Sequence, residues 1–338
     1  MKRSWIKIAS IYIGTVIGAG FASGREIIEF FGIYGLKGSW GLLISGILFI
    51  LLGSSLLIKI YNKKIKDLNE LLEIIFTKDS RWLIDLLILI SLYTGFAIMV
   101  AGSGAIFKEQ MGKSFNLGLM VMIISCFTVF LFDLEGLSFI NVILVPLLII
   151  GILFTAYYIG SQEGYNFSNL QGINLGIKGN FLTSAILYFG SNSLLIIVVF
   201  SSLHSLIEDK KTAILGGSLG GLVLYILGLS ILHSCFLFYN EVLYAEIPML
   251  KISGFIGPVY GRLYTIILWI AMFTTALANG FGFINKLSWG KNQLLVAIFL
   301  SLTSIPLASF GFTNLVSIIY PIFGLVGFVT LLLVLVKL

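Results

Sequence analysis

The chain predicts an all-α integral membrane protein whose ten transmembrane helices form two inverted five-helix halves, with helices 1 and 6, the first of each half, broken. Three observations carry that expectation. The 338 residues are 58% hydrophobic and 11% charged, with a mean hydropathy of +1.06. Stretches long enough to cross a bilayer, about 20 apolar residues each, recur ten times along the chain. The first of them is interrupted by four glycines in eleven residues, Gly14, Gly18, Gly20 and Gly24. A membrane tolerates such an interruption only where unwound backbone is buried in protein or faces a wet cavity.

The spans fall near residues 6–31, 39–60, 82–106, 117–132, 137–159, 181–203, 212–238, 259–284, 293–309 and 313–336. Turn residues mark their ends, among them Lys37-Gly38, Lys113-Ser114, Asp133 with Gly136, Lys210-Lys211 and Trp289-Gly290. The stretches between them are too short for a soluble domain, and the sequence lacks the ten-residue alternation of an outer-membrane barrel. Met1-Lys2-Arg3 before an apolar run has the outline of a secretory signal. Nine further spans, and the charged continuation Arg25-Glu26, argue instead for a first span. Between the second and third spans, Ile65, Leu68, Leu71, Leu72, Ile75 and Phe76 share one face while Lys66, Asp67, Asn69, Glu70 and Glu73 lie elsewhere. That is the pattern of a helix lying on the membrane surface. The loop 240–258, with Pro248 and Gly254, is too long for a turn and is expected to fold over the outer vestibule as a lid.

Orientation follows from Lys and Arg, which favour the cytoplasmic side. An N-terminus inside puts 14 of them on the cytoplasmic side and 7 opposite, so both termini are expected to be cytoplasmic in a bacterial cytoplasmic membrane. The net charge of +6 is then a matter of topology. The expected partners are the lipid bilayer and a small-molecule solute, with no nucleic acid. Cys126 and Cys235 fall within spans, where cysteine behaves as a small apolar residue. Gly216-Gly217-Ser218-Leu219-Gly220 matches a hydrolase nucleophile pattern, which needs a strand-to-helix elbow. Inside the seventh span, its four-residue glycine spacing reads as close helix packing, and no enzyme is expected.

Ten spans divide into halves of residues 1–160 and 161–338, and an odd number of spans in each forces the halves to be inverted. Inverted repeats that each begin with a discontinuous helix mark a large group of secondary transporters with a site at the bilayer midplane. A second break is therefore expected at Tyr188-Phe189-Gly190-Ser191-Asn192-Ser193. There serine and asparagine offer the backbone alternative hydrogen bonds and glycine permits non-helical angles; a small-residue face for helix packing is the other use of such a segment. Substrate is expected between Gly18, Ala19, Gly20, Phe21, Ala22 and Ser23 on one side and Phe189, Gly190, Ser191 and Asn192 on the other. A half-helix N-terminus suits an anionic group and freed carbonyls suit a cation, and an α-amino acid presents both charges. Phe21, Tyr93, Met99, Phe189 and Phe273 are candidate apolar walls, and Asn141, Asn192 and Asn279 candidate polar ones.

The ten-span plan resembles the amino acid-polyamine-organocation superfamily with its LeuT-type fold. The motif Gly-Thr-Val-Ile-Gly-Ala-Gly-Phe-Ala-Ser-Gly-Arg-Glu-Ile at 14–27 is similar to that of the YkvI-type amino acid permeases of bacteria. In sodium-coupled members of the fold, a cation lies between first-helix carbonyls and an alanine with two adjacent hydroxyl residues on the eighth helix. The resemblance thus implies a sodium site at the carbonyls of Gly14 and Ile17 with Ala271, Thr274 and Thr275, hard oxygen ligands that suit an alkali cation. Read without it, the two threonines can also bond their own helix. Arg25 and Glu26, just past the break, are candidates for an outer gate, and Glu26 for a proton carrier. The expected function is sodium-coupled symport of a small amino acid or similar amphoteric solute by alternating access. The alternatives are proton-coupled permeation through Glu26 and a germinant-receptor-like membrane subunit that senses a ligand without moving it.

Overall fold

A computed structural model of the protein describes residues 4–75, 78–132, 137–163, 179–288 and 292–338. The first span consists of three helices in line, α1 (Ser4–Val16), α2 (Ala19–Ser23) and α3 (Arg25–Phe30). The other spans are α4 (Leu36–Lys63), α6 (Lys78–Met111), α7 (Phe115–Phe132), α8 (Leu137–Glu163), α9 (Phe181–Ser201), α10 (Lys210–Leu237), α13 (Pro258–Ser288), α14 (Gln293–Ala308) and α15 (Phe312–Lys337). Seven of these are long and apolar enough to cross a membrane on length and composition, and α7 and α14 are shorter apolar helices. With the composite first span they make ten.

Three shorter helices complete the fold. The amphipathic α5 (Leu68–Ile75) turns Leu71, Leu72 and Ile75 inward and packs on α9 and α15. It therefore docks on the protein as well as following the surface pattern of its sequence. On the opposite side, α11 (Tyr239–Val242) and α12 (Pro248–Ile256) form the lid expected at 240–258, with α12 packed on α2, α8, α10 and α13.

The spans pack as two groups with two connectors. Helices α1, α4, α9 and α10 form one group; α6, α7, α13 and α14 form the other. Helix α8 lies on α10 and α13, and α15 lies on α9 and α6. Small residues bring the first group to backbone contact. A Cβ on Gly217 would lie 2.7 Å from Ser54 Cα, and one on Gly221 would lie 2.6 Å from Ile50 N. The glycines of the nucleophile-like pattern therefore serve helix packing, as their spacing implied.

Polar straps identify the two sides of the bundle. On the side of the N-terminus, Ser4 Oγ donates to Glu208 at 2.5 Å, Lys286 pairs with Asp85 at 2.6 Å and Lys337 Nζ donates to the Ile75 carbonyl at 2.5 Å. On the far side, Glu109 accepts the backbone N–H groups of Glu246 and Ile247 at 2.8 and 3.2 Å. Glu246 in turn accepts from Phe312 N at 3.3 Å.

The expected break in the sixth span is corrected by the structure: α9 is helical throughout Phe181–Ser201. The residues thought to interrupt it bond back into their own helix. Ser191 Oγ and Asn192 Nδ2 both donate to the Tyr188 carbonyl at 2.8 and 3.1 Å, and Ser193 Oγ donates to that of Phe189 at 2.9 Å. Gly190 meets α15 so closely that its Cβ would overlap the Gly324 carbonyl oxygen. The segment follows its packing use, not its unwinding one.

Candidate substrate and ion site

The first span does break, and in a short space. Helix α1 stops at Val16, where Ile17 N still reaches the Ile13 carbonyl at 2.8 Å but Gly18 N turns to that of Val16 at 2.9 Å. Gly18 is extended, with φ −102° and ψ −176°, and α2 starts at the next residue. Among the described residues the carbonyls of Gly14, Thr15 and Ile17 then accept no backbone donor, and the N–H groups of Ala19, Gly20 and Phe21 find no acceptor. Such groups are rarely left without partners inside a protein. Here the break opens into a cavity of about 310 Å³.

Gly24 makes a second interruption, in the left-handed region at φ 79°. A Cβ there would also come within 2.8 Å of Met249 Cγ in the lid, so glycine is required on two counts. Around it, Ser23 Oγ donates to the Gly20 carbonyl at 2.6 Å and accepts from Arg25 N at 3.1 Å. The Tyr264 hydroxyl reaches the Ala22 carbonyl at 2.9 Å.

The kink sends Arg25 and Glu26 in opposite directions. Arg25 Nη1 donates to the carbonyls of Leu243 and Ala245 at 2.8 and 3.1 Å, and Nη2 pairs with Glu29. The guanidinium thus ties the first span to the lid. Glu26 turns back over Gly20 into the cavity, accepts a hydrogen bond from the Tyr320 hydroxyl and is 6% exposed.

The cavity is lined by Gly14, Ile17, Gly18, Ala19, Gly20 and Glu26 from the first span, Ser191 and Asn192 from α9, and Ala271, Thr274 and Thr275 from α13. Eleven of the residues singled out in the sequence therefore meet at one place. Phe21, Ala22 and Ser23 are buried behind the wall toward the far side with Arg25, and Phe189 and Gly190 are buried in helix contacts. Phe189 packs edge-on to Phe49, centroids 4.9 Å apart. Of the other suggested walls, Met99 and Asn279 line the cavity. Tyr93 instead donates to the Thr303 carbonyl at 2.8 Å, and Phe273 stacks on Trp269 with centroids 5.6 Å apart. The Asn141 side chain lies outside the described residues. At the implied sodium site, Thr274 Oγ1 donates to the Ala271 carbonyl at 3.1 Å, which leaves its lone pairs free to accept a cation.

Sequence reasoning missed Tyr320 on α15, Ser91 and Thr94 on α6 and the apolar wall of Leu144, Val145 and Leu148 on α8, all lining residues. A readable signal existed for one of them, the hydroxyl of Tyr320 beside Pro321 in the first half of the last span. Several lining residues, Ser91, Leu144, Val199 and Asn279, lie in the halves of α6, α8, α9 and α13 nearer the N-terminal side. Toward the far side, Tyr264 and Met249 are buried and the Arg25 strap joins the first span to the carbonyls of Leu243 and Ala245.

No family model matches the chain. It is 30% identical over 338 residues to the uncharacterized membrane protein YkvI of Bacillus subtilis (strain 168), an alignment that covers 96% of this chain and 94% of that protein. It is 26% identical over 343 residues to the uncharacterized protein YyaD of the same organism, with 96% and 94% covered. Among solved structures, the inward-facing conformation of Mhp1 matches with a TM-score of 0.59 at 12% identity, covering 95% of this chain and 72% of that one. A mutant of the Eremococcus coleocola manganese transporter matches with a TM-score of 0.58 at 14% identity, covering 97% and 77%.

Two packed groups of spans and a cavity at a broken first helix define an all-α membrane protein of the LeuT-type transporter fold, as these neighbours do. Within that fold class, the chain belongs to the family of YkvI.

Proposed function

We propose that the protein is a secondary active transporter that carries a small amphoteric solute, an amino acid or a molecule of similar build, together with sodium by alternating access. The observation that carries this reading is the pairing of unsatisfied backbone at the Ile17–Gly18 break. Free N–H groups on one side and free carbonyls on the other border one cavity. A half-helix N-terminus attracts an anionic group, and freed carbonyls coordinate a cation. The volume of about 310 Å³ lies at the small end of ligand pockets, roughly 300–1,000 Å³.

The carbonyls of Gly14 and Ile17 share the cavity with Ala271, Thr274 and Thr275, and these oxygens are the proposed sodium ligands. Among the described residues no three His, Cys, Asp or Glu cluster as a metal site. The oxygen set, with Glu26 as its carboxylate, suits a singly charged ion and a zwitterion. With both termini cytoplasmic, the cavity as it stands faces the cytoplasm.

The test is uptake of labelled amino acids into proteoliposomes under imposed sodium or proton gradients. Sodium-driven uptake is expected, and the double variant Thr274→Ala/Thr275→Ala should lose most of its sodium dependence. Uptake indifferent to both gradients would overturn ion coupling. Saturable binding with no net flux would assign the ligand-sensing role instead.

A further inference from the structure

The continuity of α9 removes the second broken helix that was expected to face the first. The Tyr188 carbonyl is already taken by Ser191 and Asn192, and that of Phe189 by Ser193. Little unpaired backbone is left on that wall to receive a positively charged group. The cavity holds another acceptor in its place. The Glu26 carboxylate lies against Gly20, where any side chain would collide with it, and it borders the same space as the free N–H groups of α2.

Among the described residues Glu26 has no ion-pair partner. Its neighbour Arg25 is committed to Glu29 and to two lid carbonyls on the opposite face. The protein partner of Glu26 is the Tyr320 hydroxyl. That hydroxyl borders the same space, 3.1 Å from where a Cβ on Gly20 would lie. An ionised carboxylate out of water needs a cation or hydrogen-bond donors, and a hydroxyl that donates its proton can still accept at its lone pairs. A primary ammonium, with three N–H donors, meets both needs.

We propose that Glu26, with the hydroxyl of Tyr320, is the subsite for the ammonium group of the transported solute. The solute class is then primary and secondary amines, α-amino acids above all, whose carboxylate sits at the start of α2. The inference rests on the transport reading above, but its test needs only binding.

The full chain in nanodiscs is melted in the presence of each protein amino acid, its decarboxylated amine and its deaminated acid. A bound solute raises the melting temperature by mass action. At least one amino acid is expected to raise it while its deaminated acid does not. Glu26→Gln keeps the shape and removes the charge, and should weaken that binding about 30-fold or more, as loss of one partner of a buried charge pair does. Gly20→Ala, which displaces the carboxylate while keeping it, should weaken the same binding. The matched sets on the unaltered protein decide the matter even where Glu26→Gln does not fold.

Deaminated acids that bind as well as their amino acids would overturn the proposal, as would the absence of stabilisation by every amine-bearing probe. Unchanged amino acid binding in Glu26→Gln, with loss of uptake driven by a proton gradient, would make Glu26 a proton carrier. That result sinks the subsite and leaves ion-coupled transport standing. Glu26-dependent amine binding without flux would do the reverse.

Discussion

Arg25 and Glu26 are adjacent in the sequence and divide two tasks between them because Gly24 turns the helix at their start. The left-handed glycine ends α2 and begins α3 afresh, so the two side chains leave on opposite faces. One is fixed to the lid and the other is presented to the cavity. The acid in the lid itself, Glu246, gives a pH test of stability. Burial first, and then the like charge of Glu109, raise its carboxyl above the ordinary value, against the opposing pull of its bond from Phe312 N and of Lys108 and Arg25. A carboxyl with a raised folded-state pKa keeps its proton at a pH where the unfolded chain has released it. Its contribution to stability is fully present below the ordinary carboxylate value and is lost as pH rises through the raised one. Melting temperature should therefore fall over that window in the native protein, and Glu246→Gln should flatten the fall. Identical pH slopes in the two proteins would show that Glu246 does not contribute to the pH dependence of stability.

The elements differ in how much of them could be read in advance. The first break was legible because its glycines are followed at once by charge: Gly24 has no packing reason in sequence to sit before Arg25 and Glu26 unless the helix ends there. The segment Phe189–Ser193 was not legible, because its residues serve two opposite purposes equally well. Serine and asparagine can open a helix or bond back into it, and glycine can unwind or let another helix approach. The partner that decides between them, the Gly324 carbonyl of α15, is 134 positions away from Gly190 in the chain. The same long-range contacts hid Tyr320, whose place beside Glu26 depends on α15 packing against α3 and α9. This yields a test of the α9–α15 contact. Gly190→Ala puts a methyl group into the Gly324 carbonyl and should destabilise the protein by about 1–3 kcal/mol, the usual cost of overpacking. Gly18→Ala, with nothing within 4 Å of its Cβ, is the matched control at the real break and should cost less. Thermal melts of the two variants give the comparison, and an undisturbed Gly190→Ala protein would contradict the close packing described for α9.

At the scale of the whole molecule, the two connectors are not equivalent. Helix α15 is pressed along α9, whereas α8 stands off α1 and meets it near Gly14, whose Cβ would lie 3.8 Å from Val145 Cγ2. Under the alternating access proposed above, with the halves inverted as the sequence predicts, span five lies against span one as span ten lies against span six, and the asymmetry is that of one end of the proposed cycle. The other end of that proposed cycle has α8 closed on α1 and α15 loosened from α9, which exchanges the open side. Cysteines report which end is populated, and the background is low because Cys126 and Cys235 are both buried. Asn192→Cys and Ala278→Cys, both in the cavity wall, should react with a membrane-impermeant thiol reagent from the N-terminal side and be protected from the other. Arg25→Ala cuts the strap to Leu243 and Ala245 and leaves Glu29 without its cation. Added to either cysteine variant, it should shift labelling toward the far side, because a ligand-free population moves with any change in the relative stability of its two states. Labelling from the far side in the presence of the intact strap would place the seal elsewhere. No change on removing Arg25 would assign the seal to Tyr264 and Met249, which close the same passage by packing.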